Sequence, residues 1–265
     1  RNWTRHPNGT GPFILKEWKI GESVTLVANA RYHLGAPKVG QLTFDLAGGS
    51  PLTQYENGEI DISGVGLNDL QRVRDPSEPL NKEFLHKPVL STSAIVFNTQ
   101  QAPFDDPKVR QAFGMAIDRQ KLASVLLMDA VQAAQGIMPP GMPGYNKDLK
   151  GLAYDPDQAK QLLQQSKYAG KLPDVTFTTA GQGADVGPVL DAIIQMWNDN
   201  LGVTVQVQQV EPATFLSDVK KGAYQIWDAG WIADYPDPED FLDLNFYSQS
   251  QGNDAKYNNS QVDQL

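Results

Sequence analysis

The chain has 265 residues, of which 40% are hydrophobic and 20% are charged, as in an ordinary globular protein. Its 31 acidic and 22 basic residues give a formal net charge of -9, and no run of Lys or Arg offers a surface for phosphate groups, which argues against nucleic acid as a partner. The absence of cysteine excludes disulfides, thiolate nucleophiles and cysteine-ligated zinc.

The N-terminal part of the chain has the pattern of short strands and helices separated by turns. Alternating apolar residues predict a hairpin over residues 12–29 and a strand over residues 42–46. A short helix is predicted over residues 52–56, with Gly58 as its C-terminal cap. The next predicted elements are a strand at 60–62, a helix at 68–74, and strands at 83–86 and 92–98.

Two aspartate-proline pairs each predict the start of a helix. Asp106-Pro107 and Asp155-Pro156 place an N-cap side chain directly before a proline at the first helical position. The apolar spacing that follows predicts helices to about Met128 and about Lys167. Between the two helices, residues 136–151 are so rich in proline and glycine that an irregular surface loop is expected.

The C-terminal part of the chain alternates strand and helix patterns. The predicted elements are a strand at 175–178, a helix at 186–201, a strand at 203–207, a helix at 213–220 and a strand at 225–229. Strands separated by helices of this length indicate crossover connections in a largely parallel sheet. The sequence therefore predicts an α/β region at this end, and the length of the chain favours two lobes over a single core.

The segment 230–241 is the most unusual in the sequence, because after a predicted strand two aromatic residues, Trp231 and Tyr235, precede two prolines, and several carboxylates accompany them. Ligands of open α/β sheets bind beyond the carboxyl ends of the strands, so a binding residue is expected here. The acids Asp237, Glu239 and Asp240 fit a helix start, where the helix dipole stabilises negative charge. Asp234 precedes the prolines and is predicted to face a cleft and pair with a cation.

Other chemistries fit this sequence less well. A glycosidase would need two carboxylates at a set separation, which the acidic cluster leaves open as a minor alternative. A calcium loop needs a glycine turn where this segment has prolines. His6, His33 and His86 lie far apart without paired ligand spacing, so neither a metal site nor a cofactor is expected.

A series of short motifs resembles, in order, the family 5 extracellular solute-binding proteins, which include oligopeptide, dipeptide, nickel and some oligosaccharide receptors. The motifs are Gly9-Thr10-Gly11-Pro12-Phe13 with Glu17-Trp18 and Asn29-Ala30-Arg31-Tyr32, then Gly58-Glu59-Ile60-Asp61, then Pro103 to Ala112 with Ala116-Ile117-Asp118-Arg119, then Tyr154 to Lys160, and finally Trp231 to Phe241. Each motif is short, but their order extends over most of the chain.

The resemblance implies a two-lobed clamp, the α/β type II periplasmic-binding-protein-like fold, whose second lobe has a largely parallel mixed sheet flanked by helices. It places residues 1–92 in a partial, β-rich first lobe and residues 93–265 in the second lobe, with a hinge near 92–98. Members of the family are about twice as long, so the chain is expected to be a fragment that lacks an N-terminal part and the C-terminal strands.

The resemblance also implies a function, namely the non-enzymatic binding component of an ABC importer that takes peptides into the cleft between its lobes. Its partners would be a small peptide and the permease subunits, and its location the periplasm or the outer face of the membrane, with a signal segment or lipid anchor outside this chain. The implied ligand-binding residues are Gly230, Trp231, Ile232, Ala233, Asp234 and Tyr235.

Within this set, the resemblance gives Asp234 the role of holding the peptide ammonium group, while the strand from Gly230 to Ala233 pairs with the peptide backbone. Trp231 would line a side-chain pocket. Some oligopeptide receptors have a basic residue where Asp228 stands, so capture of the peptide carboxylate is in question. An oligosaccharide ligand stays open because four aromatic residues are available, namely Trp197, Trp227, Trp231 and Tyr235; direct nickel ligation is disfavoured by the scattered histidines.

Overall fold

The computed structural model describes residues 4–181 and 186–265, and its contacts divide the chain into two compact units, Arg1–Val73 and Arg74–Leu265. This division falls before the expected lobe boundary, and the hinge near 92–98 stays a prediction. Among the described residues, no helix is both long enough and apolar enough to cross a bilayer.

The first unit contains a three-stranded antiparallel sheet in the order β1-β2-β3, followed by two helices. The elements are β1 Phe13–Lys19, β2 Ser23–Ala28, β3 Gln41–Asp45, α1 Pro51–Glu56 and α2 Leu67–Arg74, whose last residue belongs to the second unit. The predicted hairpin, third strand and both helices are thus confirmed. A bidentate ion pair, with Arg72 Nη1 and Nη2 at 2.7 and 3.0 Å from the Glu56 carboxylate oxygens, ties the helices together.

Two strands predicted in the N-terminal part of the chain, one in each unit, are not formed in the structure. Residues 60–62 form a bend and extended chain without a ladder partner, and Ile62 is 88% exposed. Residues 83–86 follow the 3₁₀ helix Pro79–Lys82, and Leu85 is 86% exposed. Both predictions were wrong because a short apolar run becomes a strand only where another strand lies beside it to accept its hydrogen bonds.

The second unit is built on a four-stranded mixed sheet in the order β4-β7-β5-β6. Strand β7 runs antiparallel to β4, whereas β5 runs parallel to both β6 and β7. The strands are β4 Ser91–Phe97, β5 Val175–Ala180, β6 Val205–Val210 and β7 Ile226–Ile232. The predicted alternation of strands and helices is confirmed.

Helices cover this sheet and supply its core. They are α3 Pro107–Met115, α4 Arg119–Lys121, α5 Pro156–Gln164, α6 Pro188–Leu201, α7 Pro212–Lys220 and α8 Asp243–Phe246, with a π-helical turn at Leu122–Leu126 and a 3₁₀ turn at Pro238–Asp240. The main core contains the fully buried rings of Phe104, Phe113, Phe177 and Trp197. A second cluster, on α7 and β7, contains Phe215, Val219 and Trp227.

The helix predicted to run from Asp106 to about Met128 ends instead at Met115. Asp118 caps a new start by accepting a hydrogen bond from the Lys121 N–H at 2.9 Å. The carbonyl of Met115 accepts the Asp155 N–H at 3.0 Å, so the end of α3 is joined to the start of α5. The apolar spacing continues through the break, which is why periodicity alone predicted one long helix.

Candidate functional site

Strand β7 leads into the segment predicted to bind ligand, and its two faces differ in burial. Trp227 is buried in the second cluster with Phe215, and Ala229 packs against the same cluster. On the other face, Asp228, Gly230 and Ile232 are exposed. The strand thus presents three solvent-exposed positions beyond its buried beginning.

The backbone of β7 is paired on both sides only at its start. Along β4 the register is continuous from Ile226 to Ile232, but β5 pairs only with Ile226 and Trp227, through Phe177 and Thr178. Beyond Trp227, no described residue pairs with β7 on the side of β5. We call this side of residues 228–232 the open edge.

The direction of the backbone groups follows from the ladder. Ala233 donates its N–H to the Leu90 carbonyl at 2.8 Å, and the Gln225 carbonyl accepts the Asn98 N–H at 2.9 Å. Because alternate residues of an antiparallel pair bond to the partner strand, the odd-numbered residues of β7 bond to β4. The N–H and C=O groups of Gly230 and Ile232, and the C=O of Asp228, therefore point to the open edge, whereas the Asp228 N–H belongs to the pairing of Trp227 with Thr178.

Gly230 lies in the middle of the open edge and leaves space above the backbone. A Cβ atom added there would have Ser93 Oγ, at 3.9 Å, and the Thr92 carbonyl, at 4.0 Å, as its nearest neighbours. A glycine inside a strand often marks a place where another backbone approaches closely. The open edge can accept an extended chain without a side chain in the way.

Asp234 follows the strand in a bend that a buried carboxylate holds in place. Its side chain is exposed and has no hydrogen-bond or ion-pair partner among the described residues. Its N–H donates to Asp240 Oδ2 at 2.8 Å, and Asp240 is 0% exposed. Asp240 Oδ1 is buried without a hydrogen-bond partner in the described part of the chain. Asp240 therefore positions Asp234 through its backbone.

The acids after the bend have different roles. Asp237 caps the 3₁₀ turn Pro238–Asp240 by accepting the Glu239 N–H at 3.0 Å, as predicted for an acid at a helix start. Asp240 was grouped with it, but its carboxylate points back to Asp234. No sequence pattern indicates the hydrogen bond between Asp234 and Asp240, which are six residues apart. Their contact depends on the bend at the two prolines between them. Because Asp240 is fully buried, its carboxylate cannot contact a sugar substrate.

Tyr235 is exposed, and its hydroxyl donates to Glu239 Oε2 at 2.5 Å. This hydrogen bond to a carboxylate, with a smaller contribution from desolvation, raises the pKa of Tyr235 to about 12. We expect Glu239→Gln to lower the Tyr235 pKa toward the ordinary value of about 10. Ultraviolet difference titration against Tyr235→Phe measures this; an unchanged pKa in Glu239→Gln would contradict the assignment.

The aromatic residues near the segment do not form one exposed wall. Trp197 is 0% exposed and Trp227 is 3% exposed, so both belong to the cores. Trp231 is half-buried, and its Nε1 donor is buried without an acceptor in the part of the chain that the structure describes. Only Trp231 and Tyr235 of the four aromatic residues proposed for a sugar site are therefore accessible, which weakens that alternative. Within the described ranges, no group of three or more acidic or histidine side chains is arranged to hold a metal ion.

Comparison with known proteins gives the family. Residues 1–253 match the model of the bacterial extracellular solute-binding proteins, family 5 (middle region). The chain belongs to this family. The resemblance found in the sequence motifs is thereby confirmed.

Individual members of the family show how much of a whole protein the chain represents. It is 30% identical to the probable di/tripeptide-binding protein 5 of Pseudomonas aeruginosa, over 98% of this chain and 50% of that protein. It is also 30% identical to heme-binding protein A of Haemophilus influenzae, over 98% of this chain and 48% of that protein. The chain thus spans about half the length of the curated family members it matches, which agrees with the expectation of a fragment.

A solved structure from the family supports the fold class. The murein tripeptide binding protein MppA of Escherichia coli is 27% identical, with a TM-score of 0.85, over 100% of this chain and 53% of that one. The predicted α/β fold of the type II periplasmic binding proteins, with a mixed sheet flanked by helices, is confirmed. The family members matched are named as binding proteins and not as enzymes.

Proposed function

We propose that the chain forms part of the extracytoplasmic binding component of an ABC importer and that its ligand is a peptide. The observation that carries the proposal is the open edge of β7, which ends at the exposed carboxylate of Asp234, to which no described residue gives a partner. A peptide can add to a free strand edge through its main chain, and its ammonium group needs an anionic partner. Gly230 and Ile232 would supply the main-chain groups and Asp234 the charge.

The other predicted residues have supporting roles in this proposal. Trp231 and Ala233 bond to β4 with their backbones, so they would contact the ligand only through their side chains. Trp231 would line a side-chain pocket with the accessible part of its ring. Tyr235 adds an exposed ring next to the ammonium site. Because Asp240 holds the Asp234 backbone, the carboxylate stays at the end of the open edge.

The clamp mechanism belongs to the same proposal. We place residues 1–92 in one lobe and residues 93–265 in the other, with a hinge near 92–98. These hinge residues largely coincide with β4, which pairs with β7 along its whole length, so a bend in β4 is transmitted to the ligand strand. Closure over a peptide would then be the signal that the permease senses outside the membrane.

Calorimetric titration with trialanine and N-acetyl-trialanine tests the role of Asp234 in the protein that carries this chain. We expect acetylation to weaken binding by about tenfold or more, because the carboxylate loses a charged partner (each 1.4 kcal/mol corresponds to a factor of ten). Asp234→Asn should weaken binding of the free peptide by a similar factor and leave the acetylated peptide nearly unaffected. Asp157→Asn, which removes an exposed carboxylate on α5, is the control and should change neither affinity.

Equal affinity for the two peptides would exclude Asp234 as the ammonium site. If the protein binds haem or an oligosaccharide and neither peptide, the ligand class in the proposal is wrong, although the fold is the same. Turnover of a glycoside that is lost in Glu239→Gln, at an exposed carboxylate of the same segment, would establish the enzyme alternative instead.

A further inference from the structure

The open edge of β7 has a closed end at Asp228. The neighbouring residue Trp227 still pairs with Thr178 of β5, so an added chain has no room to continue past this point. An extended ligand whose ammonium group lies at Asp234 would therefore have its other end near Asp228. Six strand residues, from 228 to 233, span about 20 Å, which corresponds to a peptide of about six residues.

Asp228 carries a second unpaired carboxylate on this edge. Its side chain is exposed, and no hydrogen bond or ion pair joins it to another described residue. The residues between it and Asp234 are Ala229, Gly230, Trp231, Ile232 and Ala233, which bring no positive charge. Both ends of the open edge are thus negative, and neither is neutralised by a neighbour in the described ranges.

Two like charges at the ends of one binding strand impose a condition on the ligand. A peptide with free termini has a positive end that suits Asp234, but its carboxylate would meet Asp228 and be repelled if the peptide filled the edge. A short peptide avoids this contact because its carboxylate ends before Asp228. A longer peptide avoids it when a cationic side chain lies opposite Asp228.

We infer that Asp228 determines specificity and selects, among peptides long enough to fill the open edge, those with a lysine or arginine side chain near the end away from the ammonium group. This inference rests on the proposed function and names the ligand class of the same site. The position of the selecting side chain follows from the side-chain alternation of strands, because the ligand residue directly opposite Asp228 presents its side chain on the same face.

The test uses hexa-alanine peptides with a free N-terminus and an amidated C-terminus, in which the fourth, fifth or sixth residue is Lys, Gln or Glu. For the position opposite Asp228, we expect Lys to bind about threefold to fivefold more tightly than Gln, and Glu to bind more weakly than Gln, as for an exposed charge pair. This order should weaken at high salt. Calorimetry measures the affinities at low and high salt.

Variants of Asp228 separate this inference from the proposed function. Asp228→Asn should abolish the order and Asp228→Lys should reverse it, while binding of trialanine, which ends before Asp228, should stay unchanged. Because Asp228 is exposed, both variants are expected to keep the thermal midpoint of the wild-type protein. If the peptides bind through Asp234 but Lys, Gln and Glu give equal affinities, the inference is overturned while the proposed function stands. The same holds if the affinity order of Lys, Gln and Glu survives in Asp228→Asn. A wild-type protein that binds none of the peptides would overturn both.

Discussion

Replacing Trp197 with alanine should lower the free energy of unfolding by about 3–5 kcal/mol, the usual cost of deleting a large buried aromatic side chain. The indole is 0% exposed, and its ring centroid lies 5.1 Å from the ring centroid of Phe113 and 6.4 Å from that of Phe177. Its Nε1 donates to the Phe113 carbonyl at 2.9 Å, so alanine also leaves a buried acceptor unpaired. Urea unfolding followed by circular dichroism measures the change.

Two variants show which part of the indole matters. Trp197→Phe keeps a ring but removes the donor, and we expect an intermediate loss of about 1–3 kcal/mol from the unpaired carbonyl and the smaller volume. Leu216→Ala, at a position 67% exposed on α7, should stay within about 0.5 kcal/mol of wild type. A loss below about 1 kcal/mol for Trp197→Ala would mean that α6 does not depend on this contact.

Local signals account for most of the correctly predicted elements in the second unit. The two aspartate-proline pairs predict the starts of α3 and α5 because an N-cap acts through the next few backbone N–H groups, and Asp106 indeed accepts the Lys108 N–H at 2.8 Å. Asp155 does the same for the Gln158 N–H at 2.9 Å. The failures concern elements that need a distant partner, such as the strands predicted at 60–62 and 83–86.

The candidate site shows the same limit. The prolines and acids identify segment 230–241 from sequence, and the motif resemblance adds Asp234. Which backbone groups of β7 are free depends on a different strand, because β5 separates from β7 after Thr178. The role of Asp240 likewise depends on a bend that brings its carboxylate to the Asp234 N–H. Sequence therefore indicates the candidate segment, while tertiary contacts decide which of its atoms are free to meet a ligand.

The loop over residues 136–151 also contributes to the site region, through contacts that its glycines allow. A Cβ added at Gly141 would lie 3.2 Å from Leu90 Cδ2, and one added at Gly144 would lie 3.6 Å from Pro238 Cγ. Leu90 accepts the Ala233 N–H that ends the β4-β7 ladder. The loop therefore lies close to Leu90, which bonds to Ala233, and to Pro238, which follows Asp234.

Gly151 closes this loop, and its replacement by alanine should lower the free energy of unfolding by about 1–3 kcal/mol, as for overpacking at a close contact. The added Cβ would lie 2.5 Å from the Gln135 carbonyl oxygen and 3.1 Å from its carbon, so the backbone would have to move. Movement would also disturb the Gly151 N–H, which donates to Gln135 Oε1 at 3.2 Å. Urea unfolding measures the loss, and faster proteolysis within the loop should accompany it.

Gly136→Ala is the matched control at the other end of the same loop. Its Cβ would lie 2.8 Å from Leu149 Cδ2, which is the end of a flexible side chain that can rotate away, so the loss should stay below about 1 kcal/mol. If both variants lose the same free energy of unfolding, the backbone at Gln135 moves away from an added methyl group as easily as the Leu149 side chain does, which would contradict the prediction. A larger loss for Gly151→Ala, together with weaker trialanine binding, would link closure of the loop to the position of Asp234.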